Sequence, residues 1–415
     1  MGESGGAADV DDRASWQAVR AATSVTVLTI MPLYLVGAMS VQLRDELTFG
    51  AAALGILVAT FRVGAASSSS ILGRVTDRVG AARAMRYALL IAATSTLSIA
   101  FFARSWATLA VGIFGCGISS SWGQLAANRY LIRVVRGGRQ GLAFGIKQAA
   151  MPTAAMLAGL AVPAIALTLG WRAAFILAAG ASLALIPFLP RPSNAARAAS
   201  KQQRERGAFT GSVRVLTFGL MFAMAAGSTL GAFTVETGVA QGFDVRTASL
   251  MLTFGSLFSI VLRIAIGRLS DTWVDGHFNF VAGLLAVGSI GYLMLGFGST
   301  VATVIAIPIA FGSGWAFNGL FWFAALRLRP DSPGATAGVI MPGGMAGGVF
   351  GPVLFGAIVE RAGYGPAWAV TAGFALLAAL LIRLGSRMQT AELAAAAETP
   401  DEAPSEGEGP DGREP

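Results

Sequence analysis

Gly73-Arg74-Val75-Thr76-Asp77 returns about 194 residues later as Gly267-Arg268-Leu269-Ser270-Asp271. Further pairs share nearly the same offset: Trp122 with Trp315, Gly145 with Gly338, and Gly170 with Gly363. A constant offset over roughly 100 residues indicates one half-protein used twice. The sequence therefore predicts two similar halves.

The composition indicates that lipid is the main solvent of both halves. Of the 415 residues, 54% are hydrophobic and 13% are charged, whereas a soluble domain carries about 25% charged residues. The single cysteine, Cys116, excludes a disulfide framework, and the single histidine, His277, excludes a histidine zinc site and a catalytic triad. We therefore expect no enzymatic site, no metal and no cofactor.

Twelve apolar runs of roughly 18–28 residues follow one another, each long enough to cross a hydrocarbon core of about 30 Å. They lie near 20–43, 51–72, 85–103, 106–132, 141–168, 171–190, 213–239, 248–266, 278–297, 301–325, 335–359 and 367–386. The runs lack the alternation of barrel strands, so helices are predicted. The predicted fold is an all-α integral membrane protein with twelve transmembrane helices in two pseudo-symmetric six-helix bundles.

Polar segments frame the two bundles, which are predicted at 20–190 and 213–387. The segments are 1–19, a basic central loop at 191–212, and an acidic tail at 388–415 whose composition is typical of disorder. Arginine and lysine concentrate in the termini and in the loops on the same side. The positive-inside rule then predicts a multi-pass protein of the cell (plasma) membrane with both termini cytoplasmic. Since the net charge of +8 is a topology signal, nucleic acid is not expected as a partner.

The first repeated segment continues as Arg78-Val79-Gly80-Ala81-Ala82-Arg83 and resembles the loop signature Gly-x-x-x-Asp-Arg-x-Gly-x-x-Arg of the major facilitator superfamily. The second copy departs from that signature after Asp271. The resemblance covers 20–387 and implies a secondary transporter that works by alternating access. It also implies a conformational latch formed by Gly73, Arg74, Asp77, Arg78, Gly267, Arg268 and Asp271.

The latch residues could act through helix contact and charge pairing, or they could have no special role. Gly73 would let two helices touch, and Asp77 would accept hydrogen bonds from a helix N-terminus or pair with an arginine across the interface between halves. The alternative is a plain solvated turn.

Three cationic side chains are predicted inside the spans. Arg62 lies near the middle of span 2, Lys147 with Gln148 lies about two turns into span 5, and Arg263 lies late in span 8. A charge in lipid costs about 2.5–3.5 kcal/mol on insertion scales, so we expect Arg62 to face an aqueous cavity. Glu236, near the end of span 7, is the acidic candidate and a candidate for proton coupling. The structural alternative pairs Arg62 with Glu236 or with backbone carbonyls.

A cavity with three cationic side chains, and with Glu236 at its edge as the acidic one, favours an anionic substrate. Further candidate contacts lie in spans 4 and 10: Trp122, Gln124, Asn128, Trp315, Asn318 and Trp322. The two repeated tryptophans either clamp the substrate or simply pack.

The predicted function is a monomeric secondary transporter of a small, carboxylate-like anion, accompanied by a coupling ion or a counter-substrate. One alternative is drug or metabolite efflux, although span 5 lacks the glycines expected of drug antiporters and no carboxylate lies mid-span. A remote alternative is a transporter-like sensor that binds a ligand without moving it.

Overall fold

The computed structural model describes residues 3–135, 140–191, 211–270, 276–328 and 333–398, and every regular element in them is a helix. The helices of the first half are α1 Glu3–Ala38, α2 Ser40–Leu47, α3 Ala51–Val79, α4 Ala81–Phe102, α5 Trp106–Val134, α6 Gln140–Gln148, α7 Ala150–Ala161, α8 Leu167–Leu169 and α9 Trp171–Leu185. A π-helical turn, Val162–Ala166, joins α7 to α8.

The second half contains seven described helices. They are α10 Gly211–Ala240, α11 Val245–Ser270, α12 His277–Leu295, α13 Thr300–Gly312, α14 Phe317–Arg327, α15 Pro333–Ala362 and α16 Tyr364–Glu398. Here α16 continues past residue 387, which differs from the disorder predicted for 388–398. Alanine, leucine and glutamate favour a helix in that segment, and Glu392 Oε1 accepts a hydrogen bond of 3.0 Å from the amide of Ser212.

Eleven helical segments in the described residues are long and apolar enough to cross a membrane. The remaining predicted span corresponds to α5, which has 29 residues and falls outside that set. Its glycines and serines lower its mean hydropathy. The count of twelve spans and the two-bundle symmetry therefore stay predictions.

Two of the spanning segments are interrupted, span 5 near its first end and span 10 near its middle. In span 5, α6 and α7 meet at Ala149, and Pro152 has no N–H to donate to the carbonyl of Gln148 four residues earlier. In span 10, the chain leaves the helix between Gly312 and Phe317. Both interruptions free backbone carbonyls that need partners from elsewhere.

The two halves meet where α3 packs against α15 and where α7 packs against α11. In span numbers, span 2 packs against span 11, and span 5 packs against span 8. In the predicted repeat, span 2 is equivalent to span 8 and span 5 to span 11, so exchanging the halves turns one contact into the other. Superposition of the halves remains a prediction that follows from this arrangement.

We call the end of the bundle that carries α2 the Arg44 end, and the opposite end the Asp77 end. Backbones of the two halves touch at the Arg44 end. A Cβ placed on Gly55 would lie 2.2 Å from the carbonyl oxygen of Pro352, and one on Gly37 would lie 2.5 Å from that of Gly231. At the Asp77 end, a Cβ on Gly145, Gly267 or Gly338 would meet nothing within 4 Å. The halves are thus packed more tightly at the Arg44 end.

One contact at the Arg44 end joins a helix terminus to the other half. Gly50 precedes α3 and provides no side-chain cap. The carboxylate of Glu360, on α15, instead accepts a hydrogen bond of 2.9 Å from the amide of Ala52. A Cβ on Gly50 would lie 1.9 Å from Glu360 Oε1, so the glycine leaves room for the carboxylate.

Candidate substrate site

A small cavity lies between the two halves, with a volume of about 10 Å³, which is room for roughly one water molecule. Helices α1, α3 and α7 of the first half and α10 of the second half contribute to its wall, together with the interruption of span 10. The lining residues are Leu33, Tyr34, Val58, Arg62, Met151, Met224, Gly227, Ser228, Gly231, Ala232 and Trp315. A ligand in this cavity would contact both halves at once.

Arg62 is the charged side chain among the lining residues. Its guanidinium makes no hydrogen bond or ion pair with any described residue, and its Nε is buried without an acceptor. The backbone approaches it closely at Gly348, where a Cβ would lie 3.3 Å from Nε. Neither alternative considered for Arg62, pairing with Glu236 or with carbonyls, is found here. The guanidinium donors are therefore available to a ligand.

Tyr34 is a lining residue that the sequence reading missed. Its ring packs edge-on against Trp315 at 5.9 Å between centroids. Its hydroxyl interacts electrostatically with Arg62 and Arg263 and forms no hydrogen bond with any described residue. A tyrosine in an apolar run is more often a packing residue, and nothing in the sequence marks Tyr34 as different. The sequence therefore contains no signal of its place in the cavity wall. Tyr34 adds a second free donor to the wall.

Arg263 does not line the cavity, contrary to its predicted role as a substrate contact. Its Nη1 donates to the carbonyl of Gln148 at 3.0 Å, and its Nη2 donates to the carbonyl of Trp315 at 2.7 Å. These carbonyls lie at the interruptions of spans 5 and 10. The side chain is 8% exposed and lies against the Trp315 ring. The structure thus uses Arg263 to hold two interrupted spans together across the interface between halves.

Lys147 is buried in the described part of the chain without a partner. It is 2% exposed, and its amine makes no hydrogen bond or ion pair with any described residue. It precedes the lining residue Met151 by four positions, and backbone hydrogen bonds run through the join at Ala149. Residues four apart share one helix face, so Lys147 lies on the face that leads to the cavity.

The repeated tryptophans have different surroundings. Trp315 lines the cavity, whereas Trp122 packs in a hydrophobic cluster and donates from Nε1 to Thr76 Oγ1 at 3.0 Å. In this arrangement Trp122 packs, which is the second of the two roles predicted for it, and a role as a clamp stays a prediction. The other four candidates of spans 4 and 10 are not in the lining.

These four side chains have other environments, and Gln148 contributes its backbone carbonyl to Arg263. The Gln124 amide donates to Ser120 Oγ at 3.3 Å, and Trp322 packs edge-on against Phe321. Asn128 Oδ1 and Asn318 Oδ1 are buried without a donor among the described residues. A substrate role for these residues stays a prediction that the closed cavity does not support.

Glu236 belongs to a polar contact between halves at the Arg44 end. It is 3% exposed, and its Oε2 accepts from Arg44 Nη1 at 3.0 Å and from the Tyr364 hydroxyl at 3.1 Å. Arg44 is on α2, outside the spans. Burial alone would lower the pKa of Arg44, but the charge and hydrogen bond of Glu236 raise it above its usual value. The guanidinium therefore stays charged, and the pair joins the two halves at this end.

Asp77, a predicted latch residue, is paired at the end of α3 with a residue of its own half. Asp77 Oδ1 pairs with Arg129 Nη1 at 2.8 Å, and the same nitrogen donates to the carbonyl of Gly73 at 2.7 Å. Arg129 is on α5, in the same half. A Cβ on Gly73 would lie 3.8 Å from Arg129 Nη2, which is an ordinary contact, so no close helix approach requires glycine here. In this arrangement Asp77 pairs within its own half, and a latch between the halves stays a prediction.

The other latch residues are partly described. Arg74 and Arg78 lie on α3, and Gly267 and Arg268 lie on α11. Asp271 lies outside the described residues. The described residues contain no group of histidine, cysteine and acidic side chains that would hold a metal ion.

Comparisons with known proteins address the fold and the family. The profile of the Major Facilitator Superfamily matches residues 22–351. A probable sulfoacetate transporter, SauU of Cupriavidus necator, is 24% identical over 356 residues, which cover 77% of this chain and 82% of that protein.

Solved structures of transporters share the fold. A bacterial homologue of the human lysosomal transporter Spinster, in an inward-facing and unoccupied conformation, has a TM-score of 0.68 and 15% identity over 91% of this chain and 98% of that chain. A variant of the nucleoside transporter NupG has a TM-score of 0.70 and 16% identity over 88% of this chain and 99% of that chain.

Proposed function

This chain belongs to the major facilitator superfamily, and from that premise we propose that it is a secondary transporter of a small organic anion that works by alternating access. The observation that carries the proposal is Arg62. A guanidinium with no described partner lines a cavity that both halves enclose. Arg62 is only partly buried, but a cation that is removed from water without a counter-ion is still costly, and a bound anion would supply the missing charge through charge-assisted hydrogen bonds.

The chemistry of the cavity wall favours an anion over a cationic drug. None of the described residues that line the cavity is a carboxylate, and Glu236 is engaged by Arg44. The relative from Cupriavidus necator is named for sulfoacetate, which is an anion. The leucine, valine and methionine side chains in the wall would contact the carbon skeleton of an organic anion.

The tight packing at the Arg44 end supports a direction of access. We propose that this arrangement is closed at the Arg44 end, that the Asp77 end faces the cytoplasm, and that the substrate reaches Arg62 from the Asp77 end. The positive-inside distribution of arginine and lysine supports this orientation. Coupling through Glu236, exchange against a second solute, the monomeric state and the plasma-membrane location remain predictions.

The proposal is tested by binding and flux. Purified protein is heated with small carboxylates, with neutral amides of the same size, and with lipophilic cations. We expect the carboxylates alone to raise the melting temperature, since a ligand stabilises the state that it binds. The same carboxylates should then accumulate in proteoliposomes. Stabilisation by lipophilic cations alone would favour drug efflux, and binding without flux would favour a ligand sensor.

A smaller effect is expected at Tyr34. Tyr34→Phe removes a free donor from the cavity wall and keeps the ring contact with Trp315. A hydrogen bond to a charged group contributes about 1.5 kcal/mol or more, so anion affinity should fall about tenfold. Titration calorimetry or ligand-dependent melting measures the anion affinity of the variant. An unchanged affinity would mean that the hydroxyl does not touch the substrate.

The Asp77 contact should affect turnover more than affinity. Asp77→Asn weakens the pair with Arg129, whose side chains are about one-third exposed, so the loss of stability should be below about 1 kcal/mol. We expect net flux to fall several-fold while the anion still raises the melting temperature as in the unchanged protein. Loss of binding at unchanged turnover would contradict a role in switching.

A further inference from the structure

Lys147 has no role in the site as described so far, although its position is unusual. Its side chain is 2% exposed and has no partner among the described residues. It is on α6, which packs against α1 of its own half and against α11 and α14 of the other half. A lysine at an interface between halves, without an acidic neighbour, is expensive to keep unless a ligand compensates it.

The geometry relates Lys147 to the cavity. Met151 lines the cavity beside Arg62, and four residues of helix correspond to about 6 Å along the axis. The backbone hydrogen bonds from Ala149 to Gly145 and from Thr153 to Ala149 keep the helical register through the join. Lys147 therefore lies about one turn from the cavity, toward the Asp77 end and on the same helix face.

The three cations of the spans differ in what they already bind. Arg263 is occupied by two backbone carbonyls. Arg62 and Lys147 bind nothing in the described structure. The carboxylates of Glu236, Asp77 and Glu360 are all engaged at the ends of the bundle. Among the described residues, two uncompensated positive charges thus remain: Arg62 in the cavity wall, and Lys147 about one helical turn from the lining residue Met151.

We propose that the substrate is a short dianion, with one acidic group bound by Arg62 and the other by Lys147. This inference rests on the proposed function and adds the number of the substrate's charges. A singly charged anion would leave one of the two cations uncompensated, whereas a short dianion neutralises both. Helix α6 contacts α11 and α14 of the second half. A ligand bound by Lys147 would therefore lie close to the interface between the halves.

The test compares malonate with monomethyl malonate, which has nearly the same skeleton and one charge fewer. Affinities are measured for the full chain by ligand-dependent melting. The unchanged protein should prefer malonate by about tenfold or more, because the second charge-assisted contact is lost in the ester. Lys147→Gln should bind both compounds about equally, with the affinity for the ester kept within about twofold. Lys147→Arg, which restores the charge, should recover the preference.

The outcomes separate this inference from the proposed function. If Lys147→Gln prefers malonate as strongly as the unchanged protein, or if the unchanged protein shows no preference, the dianion assignment is wrong while anion transport stands. If no carboxylate stabilises the unchanged protein, the proposed function itself fails. If Lys147→Gln does not accumulate in the membrane, Lys147→Met keeps the chain length without the charge and decides the question.

Discussion

Anion transport by the Arg62→Gln variant is expected to fall at least about a hundredfold. Truncating one partner of a buried charge pair costs about 2–5 kcal/mol, and 2.7 kcal/mol corresponds to a hundredfold change in affinity. Glutamine keeps a polar side chain in the wall and removes the charge. The variant should fold, since Arg62 makes no hydrogen bond with the described residues that the substitution would break.

The measurement is uptake of a labelled carboxylate into proteoliposomes, with binding followed by melting. Arg246→Gln is the matched control, because Arg246 is exposed at the Arg44 end and the substitution removes the same charge. We expect the control to transport normally. Normal transport by Arg62→Gln, with wild-type binding, would place the substrate elsewhere.

Gly55→Val is expected to stop turnover while leaving a folded, ligand-binding protein. A Cβ on Gly55 would lie 2.2 Å from the carbonyl oxygen of Pro352 and 3.0 Å from the Cα of Val353. Both atoms belong to the backbone of α15, so the clash is relieved only if the halves separate at the Arg44 end. The variant should stay open at that end, and net transport should fall by more than about tenfold.

Accessibility of a cysteine introduced at the Arg44 end measures this opening, with Cys116 replaced by serine. Gly373→Val is the matched control, since Gly373 is exposed and a Cβ there meets nothing within 4 Å. The control should transport at the normal rate and show no added labelling. A Gly55→Val protein that cycles normally would show that α3 and α15 need not touch during transport.

The sequence predicted the features that depend on local composition. The apolar runs predicted the helices, and a charge inside such a run identified Arg62 as a cavity residue candidate. The repeat of Trp122 as Trp315 did not predict that Trp315 would line the cavity while Trp122 packs against Tyr87 at 5.6 Å between centroids. The two tryptophans repeat in sequence, but their neighbours do not repeat.

Contacts between segments that are distant in the chain could not be predicted from the sequence. Arg44 and Glu236 are 192 residues apart, and no local pattern relates them. The contact of Arg263 with Gln148 is partly predictable. Pro152 leaves the carbonyl of Gln148 without a helical donor, and this can be seen in the sequence. Which side chain would supply that donor depends on how α11 packs on α7, and this only the fold determines.

The amide of Ala52 has consequences of a different kind. Its acceptor, Glu360, belongs to the opposite half, so the first turn of α3 is complete only while the Arg44 end is shut. Each opening at that end would leave this amide to water and let the first turn fray. Its hydrogen-exchange rate would then record the fraction of time that the transporter spends open at that end, in unmodified protein and without a probe.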